Sequence, residues 1–185
     1  MRIAILSNAF PPDGRGGAER IAVLQADALV ARGHDVQVWA PRSAEVKESD
    51  REDVHRFSSS FYRLNNMGWI RRLLFHFFDL QAHSHVVGTI LTWKPDAIIS
   101  HNVMGCGFQT PSHVQRHGIR WIHVLHDVQL YEPSGCVRSD RGERFYERIS
   151  RTCLSVIRRG LFGKPDVLVS PSAWLLREHE RYGFT

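Results

Sequence analysis

Residues 2–33 read RIAILSNAFPPDGRGGAERIAVLQADALVARG, and this stretch decides how the rest of the chain is read. The run Arg2–Ser7 carries Ile3, Ala4, Ile5 and Leu6 in unbroken succession. A half-solvated strand would alternate, so a continuous apolar run predicts a strand buried on both faces, central in a parallel sheet. Pro11 and Pro12 forbid an early helix, because each fixes φ and the first restrains Phe10 as well. Gly14, Gly16 and Gly17 then accept conformations and close neighbours that a Cβ would forbid. From Ala18 the period turns helical, with Ile21, Leu24 and Ala28 predicted on one face, and Gly33 is placed to end the helix as its C′ residue.

A glycine pair at a helix start, straight after a strand, can hold an anion. The first amides have no intrahelical partner, the helix dipole presents its positive end, and no side chain blocks the approach. Glu19, in the first turn, partly offsets that potential. The spacing is not G-x-G-x-x-G and no G-K-S/T follows, so neither the dinucleotide fingerprint nor the P-loop is satisfied. The same residues also suit a plain tight turn between strand and helix, and both readings stand at this point.

Further along, Asp35–Ala40 (DVQVWA) reads as a second strand with Val36, Val38 and Ala40 inward, ended by Pro41. Arg42–Asp53 is a charged surface loop, Val54–Phe57 a short third strand and Ser58–Ser60 a turn. In Asn65–Leu91, Trp69, Ile70, Leu73, Leu74, Phe77, Phe78 and Ala82 recur at helical spacing. That predicts a helix packed on the sheet; a basic-aromatic segment lying on an anionic membrane is the second reading. Ala97–Ser100, Arg120–Leu125 and Val167–Val169 are strands, Gly105–His117 and Glu143–Leu161 helices, and Gln129–Arg141 a loop. Ser172 suits the N-cap of a helix beginning at Ala173. Lys-Pro-Asp precedes two of the strands, at Lys94–Asp96 and Lys164–Asp166, as a shared turn chemistry. Strands alternating with helices predict an α/β domain, doubly wound around a mainly parallel sheet with helices on both faces.

At 185 residues the chain is long enough for one domain with a sizeable core and short for two. Nothing approaches the roughly 20-residue apolar span of a membrane helix, and the N-terminus runs straight into a strand without a secretory leader. Cys106, Cys136 and Cys153 are widely spaced and odd in number, which fits a reducing cytosol. A net charge of +5 with eleven histidines suits anionic partners. The arginines Arg138, Arg141, Arg144, Arg148, Arg151, Arg158 and Arg159 form a basic run, read first as a solvated face and otherwise as facing lipid head groups or an anionic acceptor; no RNA- or DNA-reading motif accompanies them.

Ligands of open parallel sheets bind beyond the carboxyl ends of the strands. Those ends are Ser7–Asn8, His101–Asn102, His126–Asp127 and Ser170, all polar, and they converge on the rim that carries Gly16 and Gly17. His113 and His117, four apart on a predicted helix, could share a face for zinc but lack an obvious third ligand. His83 and His85 are read as structural.

PPDGRGGAER, the helix end RGHDVQVWAP, and the H-N and H-D dipeptides after apolar strands together resemble the N-terminal domain of a family 4 glycosyltransferase. Such enzymes are retaining and have the two-domain, twin-Rossmann GT-B architecture; the resemblance runs over essentially the whole chain. It implies that residues 1–185 form the acceptor-side, Rossmann-like half, with the C-terminal nucleotide-binding domain absent and the isolated chain nearly inactive. It implies a nucleotide-sugar donor, with a glycan, lipid-linked or small-molecule acceptor, no metal and no other cofactor. Gly16 and Gly17 would approach the donor diphosphate and His126 the reacting sugar. Asp127 would orient His126 or bind acceptor, a plain loop cap being the other reading. Asp13, Arg15, His101 and Asn102 are candidates for the acceptor side. A cytoplasmic site of action is expected, with peripheral membrane contact left open. Two alternatives are carried: a stand-alone sugar- or nucleotide-binding module or split-transferase subunit, and a Rossmann-like dehydrogenase, disfavoured because its fingerprint is lacking.

Overall fold

The strand Arg2–Leu6 (β1) is the middle of the molecule, with β2 (Asp35–Pro41) hydrogen-bonded on one side and β4 (Ala97–Ser100) on the other. The computed structural model describes residues 1–13, 16–42, 51–59, 80–132 and 155–185. Beyond these strands lie β3 (Val54–Phe57), β5 (Arg120–Val124) and β6 (Val167–Val169). The six form one sheet of order β3-β2-β1-β4-β5-β6, and every pairing is parallel. The connecting helices are α1 (Gly17–Ala31), α2 (Leu80–Trp93), α3 (Thr110–Gln115) and α4 (Ala173–Arg181), and residues 155–162 are helical as well. The doubly wound α/β fold read from the sequence is the observed one.

Successive side chains of a strand point to opposite faces, and both faces of this sheet are covered. Ala4, Leu6, Trp39, Ile98 and Trp121 join one core with Ala82, Val86 and Ile90 of α2 and Val114 of α3. Ile3, Ile5, Val36, Val38, Ala40 and Ile99 join the other with Ala22 and Ala26 of α1. The indole N–H groups are satisfied inside: Trp39 Nε1 donates to Thr89 Oγ1 at 2.9 Å and Trp121 Nε1 to Ser100 Oγ at 2.7 Å. Polar satisfaction is what lets such large rings sit wholly inside.

Two expectations are corrected here. The buried face of α1 is Ala22 and Ala26, whereas Ile21 and Leu24 are 46% and 55% exposed. Alanines let the helix axis approach the sheet closely, and the bulky pair is left on the solvent side. α3 begins at Thr110, not at Gly105, because Gly105 and Gly107 take φ of 77° and 79°. Such values belong to a turn, and a Cβ on Gly107 would lie 2.8 Å from His83 Cβ.

Several terminators fall where they were read. Gly33 has φ 80°, its N–H donates to Val30 O, and His34 N donates to Leu29 O, which is the full Schellman pattern. Ser172 Oγ accepts from Leu175 N at 3.1 Å and caps α4. The Lys-Pro-Asp tripeptides share one device. Asp96 Oδ2 accepts Arg2 N at 2.8 Å while Asp96 N donates to Arg2 O; Asp166 does the same with Trp121, at 2.7 Å through its carboxylate. Each aspartate thus sets the start of its own strand against its neighbour's. The helical stripe Trp69–Phe78 lies outside the described residues, as do Cys136, Cys153 and the arginines from 138 to 151.

Candidate active site

The strand order reverses between β1 and β4, and a crevice opens beyond their carboxyl ends at such a reversal. The β1–α1 loop, the β4 end and the β5 end meet there. The loop is held down by Arg56 of β3, whose side chain is 5% exposed. Arg56 donates to the carbonyls of Phe10, Pro11 and Pro41 and lies 3.5 Å from Asp13. Asp13 is itself 6% exposed, so its carboxylate anchors the loop from inside. Arg15 lies outside the described residues.

Past that anchor, Gly16 is the N-cap of α1 with φ −85° and ψ 172°, and it offers no side-chain cap. Gly17 follows as the first helical residue. Neither has a positive φ, a Cβ on Gly17 would meet nothing within 4 Å, and one on Gly16 would collide first with the Glu19 carboxylate, the far end of a flexible side chain that would have to shift. The fold does not require glycine at either place. A side chain there would stand at the start of the helix, beside the Glu19 carboxylate.

At the β4 and β5 ends, His101 is fully buried and hydrogen-bonds through Nδ1 to His126 Nε2 at 2.8 Å. His126 is half-buried, and its Nδ1 takes no hydrogen bond from the described residues. Asp127 Oδ1 accepts Gln129 N at 2.7 Å, closing a turn, and Oδ2 accepts Asn102 Nδ2 at 3.4 Å. The loop-capping role read for Asp127 is present, and Asn102 is tied to it. Ser7 Oγ donates to Ala9 O, and Ser170 Oγ to Ser172 O, so both serve their own turns.

Burial, then the neighbouring His126, push His101 down to about 3. Burial also holds His123, beneath them and bonded to Ser100 Oγ at 2.8 Å, well below the histidine range. Burial lowers His126 too, with Asp127 and Glu19 pulling the other way. The cluster is therefore neutral at neutral pH. A folded-state value below the unfolded one means that the unfolded chain binds the protons. The stability that depends on neutral His101 is present in full above about pH 6.5 and is lost as pH falls towards about 3, at about 1.4 kcal/mol per pH unit, and His123 acts in the same direction. Urea midpoints that stay level between about pH 7 and pH 5 would contradict this.

Two features of the site carried no sequence signal that was used. Arg158, read as part of a solvated basic face, is completely buried. Its guanidinium donates to the carbonyls of Gln129 and Leu130 and lies 5.8 Å from the Phe108 ring centroid. It secures the loop that follows His126–Asp127, and burial lowers it to about 10. Trp174, half exposed in the first turn of α4, lines an open cleft of about 330 Å³ with His126, Asp127 and Ser172. A tryptophan two positions past an N-cap serine was the clue available for it.

His113 and His117 do share a face, with nearly parallel rings 5.5 Å apart. No group of three side chains arranged to hold a metal occurs among the described residues. No helix among them is long and apolar enough to cross a membrane.

An all-parallel sheet of this order, with polar strand ends at the reversal, defines a Rossmann-like α/β domain. The sequence model of Glycosyltransferase Family 4 matches residues 15–185, and the chain belongs to that family. It is 23% identical, over 198 aligned residues, to an uncharacterised 42.6 kDa protein in the cps region of Klebsiella pneumoniae, covering 100% of this chain and 52% of the relative. Its fold is similar to sucrose-phosphate synthase from Thermosynechococcus elongatus, with TM-score 0.65, 12% identity, and coverage of 99% of this chain and 45% of the synthase. An alpha-glucosyltransferase solved with UDP and a mismatched 13-mer DNA gives TM-score 0.46 and 14% identity over 94% of this chain and 37% of that one. The chain spans about half the length of the curated relative it matches.

Proposed function

We propose that this chain is the N-terminal, acceptor-side domain of a retaining hexosyltransferase that moves a sugar from a nucleotide-sugar donor to a glycan, lipid-linked or small-molecule acceptor. The observation that carries the reading is the pair Gly16–Gly17, neither of them at a positive φ, at the start of the helix that follows the central strand β1. A donor diphosphate is the ligand whose charge and bulk suit that place, since free amides and the helix dipole supply the positive potential that a metal would otherwise provide.

On this reading His126 hydrogen-bonds the donor sugar as its bond to phosphate breaks. The acceptor hydroxyl attacks on the face from which the diphosphate leaves, and the leaving phosphate takes the acceptor proton. Asp127 and Asn102 hold the rim in shape, and Trp174 offers a flat apolar face to a sugar ring. A second domain supplies most nucleotide recognition, so this chain alone transfers little sugar. The protein acts in the cytoplasm, and an acceptor on a lipid carrier would bring it to the membrane surface.

The test is turnover of UDP-, GDP- and ADP-sugars by the full-length protein, wild type and Gly17→Trp. One donor is expected to be consumed by the wild type and spared by the variant, and the variant's melting temperature is measured alongside to show that it stays folded; its Cβ at least meets nothing within 4 Å. Equal turnover by the variant would remove the diphosphate from this helix end. Donor binding without turnover by the wild type would make the protein a binding module.

A further inference from the structure

His101 and His126 lie 25 positions apart, yet one hydrogen bond joins their rings, from Nδ1 of the first to Nε2 of the second. Two neutral imidazoles joined by one bond need one proton between them, so one ring donates and the other accepts. The surroundings decide which. His101 is completely buried, and its other nitrogen, Nε2, has no hydrogen-bond partner among the described residues. A proton on that Nε2 would be a buried N–H with nowhere to donate. A lone pair there is the lesser penalty, because orphaned buried N–H groups are rarer in folded proteins than under-satisfied acceptors. The His101 proton therefore belongs on Nδ1, facing His126.

The hydrogen bond at one imidazole nitrogen sets the state of the other. His126 accepts at Nε2, so its own proton sits on Nδ1. The charged groups that face this ring are Asp127 and Glu19. Both oxygens of Asp127 are already engaged, by Gln129 N and Asn102 Nδ2. The orienting role that a carboxylate often takes beside a functional histidine falls here to a second, buried histidine.

We propose that His101 is a positioning residue: it donates Nδ1–H to His126 Nε2 and holds His126 in the Nδ1–H tautomer, which leaves a hydrogen-bond donor free at the cleft. The use of that donor on a sugar hydroxyl or a departing phosphate oxygen rests on the transferase reading above; the tautomer itself does not. In this arrangement His126 offers the cleft no basic lone pair. It stabilises oxygen and does not abstract a proton.

The experiment is a long-range ¹⁵N–¹H correlation spectrum of the full-length protein with labelled histidine, without substrate, at a pH above the histidine range. The expected spectrum of His126 has a protonated-type Nδ1 and an unprotonated-type Nε2. A majority of Nε2–H tautomer in the wild type would overturn the proposal. In His101→Leu, His126 should shift towards the Nε2–H form, and an unchanged spectrum from that folded variant would assign the tautomer to something other than His101. His101→Asn keeps an amide N–H near the Nδ1 position and should preserve the wild-type pattern. If the leucine variant does not fold, the wild-type spectrum and the asparagine variant decide between the outcomes. No substrate is present, so a failed transfer assay and a failed tautomer assignment are separate results.

Discussion

His126→Ala is expected to lower kcat/KM for sugar transfer by the full-length protein roughly 100- to 1,000-fold, the usual effect of removing one donor aimed at developing charge. The ring stands half-buried with Nδ1 unclaimed by the described residues. On the proposed transferase reading the loss should fall mainly on kcat, because there the contact strengthens as charge builds on the leaving oxygen. His126→Asn, whose amide N–H can occupy nearly the same place, should recover part of the rate. The alanine change also leaves His101 Nδ1–H without its acceptor, at about 1–3 kcal/mol of stability, so a modest fall in melting temperature accompanies it. An alanine variant within about threefold of wild type would reduce His126 to an ordinary residue at a strand end.

Arg56→Ala is expected to destabilise the fold by about 3–5 kcal/mol, the range for breaking a buried ion pair from one side. The guanidinium serves three backbone carbonyls at once and sits beside a carboxylate that is as buried as itself. Its removal takes the guanidinium away from Asp13 and from the carbonyls of Phe10 and Pro11, on the loop that leads into Gly16–Gly17. Chemical denaturation should show the loss at unchanged slope, and the donor KM should rise because the loop is no longer pinned. Arg56→Lys should recover only part, since an ammonium restores the charge but not the planar fork. A variant that melts with the wild type would show that the loop is held by its neighbours alone.

Much of this architecture was legible in the chain. Ile3 to Leu6 read as a two-faced strand because a central parallel strand has no solvent side, and β1 is buried from Ile3 onward. Gly33 and Ser172 read as a helix stop and a helix start because their roles depend on their own few neighbours. The repeated Lys-Pro-Asp signalled a shared turn for the same local reason, although its partners, Arg2 and Trp121, lie far away in sequence. The strand-end residues of the site were also visible, since exit from an apolar run into polar residues is a local event.

What sequence order could not convey was which distant residues come to share a place. Apolar periodicity grouped Ile21, Leu24 and Ala28 on one face, but the sheet took Ala22 and Ala26 fully, with Val23 and Leu29 packed beside them, and left Ile21 and Leu24 exposed. Asp13 read as a candidate for the acceptor side, and nothing near it in sequence announced Arg56, which β3 delivers to it across 43 positions. Arg158 looked like one more surface arginine until the fold placed the Gln129 and Leu130 carbonyls around it. His101 and His126 read as two separate strand ends, and their single shared proton exists only because β4 and β5 are neighbours in register. Local chemistry, in which a residue acts on itself and the next few positions, was thus determined by the sequence alone. Burial and pairing, which depend on the order of strands in the sheet, were decided by the tertiary structure.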